Sequence, residues 1–169
     1  PNEPSMYAAC AVVFLGLGGL SLLPTSGFNR KQSFHFCLSF TVGFLVYAFV
    51  WSVAWFALPN TMGEILGSSL GLTGLAAVLI RWNRWKLSLL IATSILFLFH
   101  TIGYYFGGFA YQSLQGRGPV PLELNVSPEN IRLLARLMWG VGYGIGLGLG
   151  LTITIYLSHQ SSESPSTHI

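Results

Sequence analysis

The chain has no aspartate, two lysines and two cysteines, and it lacks any long polar stretch. Charged residues make up 8% of its 169 positions, against ~25% in an ordinary soluble domain. Without a charged surface of normal density, no segment can form a water-soluble domain of ordinary size, so we expect one membrane domain and no globular appendage. The acids are five glutamates, none expected in the membrane interior. Carriers that couple transport to protons or sodium usually need a carboxylate at membrane depth, and that class is disfavoured. There is no Walker motif, no Gly-x-Ser-x-Gly, no His-Glu-x-x-His and no metal-ligand cluster. Acid–base chemistry would rest on one histidine, so we expect no enzyme and no metal. The net charge of +3 is small. Its basic residues flank apolar segments, as membrane anchors do, and nucleic acid is excluded as a partner. Cys10 and Cys37 are expected near opposite membrane faces, too far apart to bridge.

What the chain has is hydrophobic length. Residues AVILMFWYC make up 52% of it, with 20 glycines. Five apolar segments stand out, at about 7–23, 34–58, 62–80, 87–111 and 131–157. Each is close to the ~20 residues needed to cross a bilayer as a helix. The expected fold class is therefore an all-α integral membrane protein: five transmembrane helices within residues 1–158, short loops, and a polar disordered tail at 159–169. The first segment has no basic residue before it, only Glu3, and is expected to be a retained span rather than a cleaved signal. The five segments are too unequal to split into matching halves, against an inverted-repeat transporter.

Arg30, Lys31, Arg81, Arg84 and Lys86 fall on one side if the spans alternate; Arg117, Arg132 and Arg136 fall on the other. The majority side is expected to be cytoplasmic, with the amino terminus outside and the carboxyl terminus inside. The loop LPNTMGE is short enough to force a tight hairpin. Thr61 and Glu64 within it match a capping box. Ser127-Pro128-Glu129 reads as an N-cap, a proline at the first helical position and an acid in the first turn.

Glycine dominates the fifth segment. At 100° per residue, Gly140, Gly144 and Gly148 form one stripe, and Gly142, Gly146 and Gly150 form another, roughly opposite. Such a helix is thin in one direction, and two neighbours can approach it closely. The third segment repeats the theme with Gly63, Gly67 and Gly71. His100 lies mid-way along the fourth segment, at a depth where an ionisable group raises a functional hypothesis. It is a candidate axial ligand for a tetrapyrrole, chlorophyll or haem, with Gly103 and Gly107 clearing space for the ring. The competing role is a neutral histidine hydrogen-bonded within the bundle. Arg132 and Arg136, with Glu129 on the same helix face, suit lipid phosphate or an anionic partner. Arg81, Arg84 and Lys86, interleaved with Trp82 and Trp85, read as lipid anchors.

These features favour a non-catalytic accessory or structural subunit of a larger membrane complex, packing through glycine-rich helices against partner helices or flat cofactors. Its expected partners are other membrane subunits and bound lipids. A small-solute channel or uncoupled transporter is the first alternative. An accessory to a lipid-acting membrane enzyme is the second.

Overall fold

A computed structural model of the chain describes residue 15 and residues 17–25, 27–118 and 126–163. The described residues contain no strand. A short 3-10 turn at Leu23–Thr25 precedes four helices: α1 (Arg30–Ala57), α2 (Asn60–Asn83), α3 (Leu89–Leu114) and α4 (Pro128–Glu163). All four are long and apolar enough to cross a membrane, so the protein is multi-pass. The remaining expected span, 7–23, lies largely outside the described residues, as does Cys10.

Local chemistry explains the helix ends. Asn29 caps α1: its Oδ1 accepts the Gln32 N–H at 3.0 Å, and Gln32 Oε1 accepts the Asn29 N–H at 3.0 Å. Two of the orphan donors at the helix start are satisfied by this reciprocal pair. The capping box expected at Thr61 and Glu64 does not form. Pro59 occupies the N-cap of α2 without a side-chain bond, and Thr61 lies inside the helix. The reason is steric: Leu58 before the proline is extended, at φ −119° and ψ 145°, and the fixed proline ring lets the helix start directly at Asn60. Ser127 does behave as expected, its Oγ accepting the Asn130 N–H at 3.4 Å, with Glu129 in the first turn of α4. That helix has 36 residues, about 54 Å at 1.5 Å per residue, against ~30 Å of hydrocarbon. Its ends therefore extend past the apolar layer. Residues 159–163 continue the helix where a disordered tail was expected.

Two compact units partition the chain. One comprises Pro1–Phe97 with Leu151–Ile169, the other Leu98–Gly150. In the first, α1 and α2 form an antiparallel hairpin joined through a glycine seam. Tyr47 lies opposite Gly71, Trp51 opposite Gly67, and Ala54 opposite Gly63. A Cβ built on Gly63 would sit 2.8 Å from the Ala54 carbonyl oxygen, and one on Gly71 would sit 3.0 Å from that of Tyr47. The backbones thus approach to a distance that no larger residue permits, as small-residue repeats allow in lipid. Phe36, Phe40, Leu72, Leu75 and Leu79 are fully buried in this unit. Asn83 ties its end together, Nδ2 donating to Ser39 Oγ and to the Leu79 carbonyl, each at 2.9 Å.

The second unit is built on the same device. The Leu98–Leu114 part of α3 meets the 128–150 part of α4 through Gly103 and Gly107. A Cβ on Gly103 would lie 2.6 Å from the Gly142 oxygen and 2.8 Å from the Gly146 Cα. One on Gly107 would lie 2.6 Å from the Trp139 oxygen. The relation is reciprocal: a Cβ on Gly142 would sit 2.9 Å from the Gly107 Cα, and one on Gly146 would run into the Phe99 carbonyl.

Candidate functional site

The two glycine stripes of α4 have different surroundings. Gly142 and Gly146 are buried against α3, and Gly150 is also buried. A Cβ on Gly140, Gly144 or Gly148 would meet no described atom within 4 Å. This second stripe is flanked by a ridge of exposed side chains, Leu137, Val141, Ile145 and Leu149. Leu147, adjacent in sequence, is fully buried. One thin side of the helix is therefore filled from within the chain, and the other meets none of the described residues.

The glycines near His100 serve the seam. Gly103 and Gly107 face the α4 backbone, which lies in the space the sequence offered to a flat ring. His100 itself is 2% exposed. The Tyr104 ring stacks on its imidazole at 6.0 Å and 13°, and Tyr143 meets it edge-on at 5.2 Å and 83°. Trp139 extends the group, T-shaped to Tyr104 at 5.7 Å and stacked on Tyr143 at 6.2 Å. The sequence placed His100 at membrane depth but gave no sign of this aromatic enclosure. Its signal is legible in retrospect as spacing: Tyr104 is one turn from His100 on α3, and Trp139 and Tyr143 are one turn apart on α4. Among the described residues, no three His, Cys, Asp or Glu side chains gather to hold a metal.

The charged candidates divide between the units. Glu129, Arg132 and Arg136 are exposed along the first turns of α4. Gly63, Gly67 and Gly71 are committed to the α1–α2 seam. Arg81, Arg84 and Lys86 are exposed at the end of α2 and just beyond it, while Trp85 is buried there. The sequence put these basic residues on the same membrane side as Arg30 and Lys31 but joined them into no common site. The structure brings Lys31, Gln32 and His35 of α1 together with Trp82, Arg84 and Trp85, around a cleft of about 460 Å³. His35 Nε2 donates to the Trp82 carbonyl at 3.0 Å, holding the two helix ends in register.

No family model, curated protein or solved structure matches the chain.

Proposed function

We propose that this chain is a non-catalytic subunit of a larger membrane protein assembly, held to a transmembrane helix of a partner subunit by the Gly140–Gly144–Gly148 face of α4. One observation carries this reading: three glycines in a regular helix have no demand on them from within the described chain. Each glycine inside a helix costs roughly 0.5–1 kcal/mol relative to alanine. A face that met only acyl chains would gain from alanine or leucine at all three positions. Gly142 and Gly146 show what such spacing is for in this protein, since they admit another helix backbone. A partner helix on the open face would gain the same close van der Waals and Cα–H···O contacts.

For His100 we favour a packing role over a tetrapyrrole ligand. The flanking glycines face α4, and tyrosine rings cover the imidazole. We also assign the end bearing Arg30, Lys31, Arg81, Arg84 and Lys86 to the cytoplasmic side, where basic residues accumulate.

The test is extraction from the native membrane in mild detergent, followed by sizing and analysis of the co-migrating chains. The wild-type chain is expected in a particle with other subunits. Gly144→Leu should release it, whereas Leu149→Ala should leave the particle intact. A wild-type chain that migrates alone and conducts a small solute in vesicles overturns the subunit reading in favour of a channel.

A further inference from the structure

The cleft at the end of the α1–α2 hairpin has the chemistry of an anion site. Lys31 enters it from α1 and Arg84 from the cap that follows α2, and among the described residues no carboxylate lines it. Neither of those two side chains makes a hydrogen bond or ion pair with a described residue. Gln32 spends its oxygen on the Asn29 N–H, which leaves its amide N–H groups to donate. The walls are packed. Trp85 stacks on Phe36 at 6.4 Å and 30°, Phe36 contacts Phe28 at 5.5 Å, and Asn83 pins α2 to α1 through Ser39.

Arg84 adds a backbone argument. It caps α2 in the left-handed conformation, at φ 55° and ψ 38°, its N–H bonded to the Ile80 carbonyl. Glycine takes that conformation without steric cost and is the usual residue at such a helix end. An arginine there keeps a guanidinium at the cleft in spite of the backbone penalty. An outlier of this kind points to use of the side chain.

We propose that this cleft binds the phosphate of an anionic phospholipid headgroup. Lys31 and Arg84 would bind the phosphate through charge-assisted hydrogen bonds, and the Gln32 amide would donate a further one. Trp82 would sit beside the glycerol backbone. The lipid is favoured over a soluble phosphate ester because the cleft opens where two bilayer-length helices end, the depth of the headgroups, with an exposed indole at its rim. A choline headgroup is opposed by two cations without a carboxylate to balance them. The site is local, distinct from general attraction between a basic surface and a charged leaflet, and it does not depend on the subunit reading above.

The experiment is native mass spectrometry of the purified chain, titrated separately with phosphatidylglycerol, phosphatidylcholine and glycerol 3-phosphate. The wild-type chain should prefer phosphatidylglycerol to phosphatidylcholine. Lys31→Gln combined with Arg84→Gly should weaken phosphatidylglycerol binding by roughly thirtyfold, taking about fivefold for each cation near a lipid surface. Arg30→Gln, one residue away and outside the cleft, should leave binding unchanged. Arg84→Gly alone should melt no lower than wild type, since it relieves the left-handed backbone, and so separates lost binding from lost folding. Equal binding by the double variant overturns the proposal, as does an equal loss from Arg30→Gln, which would mark a diffuse basic surface. Glycerol 3-phosphate binding as tightly as the lipid would assign the cleft to a soluble phosphate ester and overturn the lipid assignment.

Discussion

A methyl group added at Gly146 would run into the Phe99 carbonyl and the Gly103 Cα; the same group added at Gly144 would meet nothing described. Alanine at 146 must push two backbones apart, and overpacking of this kind costs roughly 1–3 kcal/mol. Alanine at 144 only gains helix propensity, up to ~1 kcal/mol. For the isolated chain in detergent we therefore expect Gly146→Ala to lower the thermal midpoint and Gly144→Ala to hold or raise it, as followed by circular dichroism. Leu147→Ala should also destabilise, by ~2–5 kcal/mol, because that side chain is fully buried. The contrast was not legible in the sequence. Gly144 and Gly146 sit in the same Gly-x-Gly pattern, and periodicity assigns them to opposite sides without saying which side is occupied.

Helix ends and seams belong to the scale of the element. The Asn29–Gln32 box holds the start of α1, so Asn29→Ala should cost ~1 kcal/mol in a denaturation series. Thr61→Ala should cost close to nothing, because Pro59 is the N-cap of α2 and carries no side-chain bond. Both stretches fit an N-terminal motif as strings, Asn-Arg-Lys-Gln and Thr-Met-Gly-Glu. The difference is the proline before the second, which preorganises the backbone and moves the helix start ahead of the threonine. Helix identity was legible throughout, since uninterrupted apolar runs must satisfy their own backbone groups in lipid. The observed spans depart from the expected ones mainly at the ends. Polar residues such as Arg30 and Lys31 join the helix there because they reach water beyond the apolar layer.

For the molecule as a whole, helices that alternate across the bilayer place residues 84–88 and the end of α4 on one face, with residues 115–118 and Ser127 on the other. In a background with Cys10 and Cys37 replaced by alanine, Ser88→Cys and Ser127→Cys should react with a membrane-impermeant thiol reagent from opposite sides of sealed vesicles. Labelling from the same side would break the alternation. The two compact units share one construction rule, glycine-lined seams between antiparallel segments. Gly63, Gly67 and Gly71 serve the first, and Gly103, Gly107, Gly142 and Gly146 the second. The α4 stripe that meets no described residue follows the same spacing, and that is why we propose a partner helix for it.

Composition alone determined the solvent. With 8% charged residues and runs of bilayer length, the chain can satisfy its backbone and hide its surface only as helices in lipid. Periodicity alone placed the glycines in stripes, because 3.6 residues per turn is a property of any helix. Which stripe is filled, and that Lys31 of α1 and Arg84 after α2 line one cleft, was decided by tertiary structure. Close approach between segments distant in sequence depends on their register, and register is set by the summed fit of many side chains that no single helix contains.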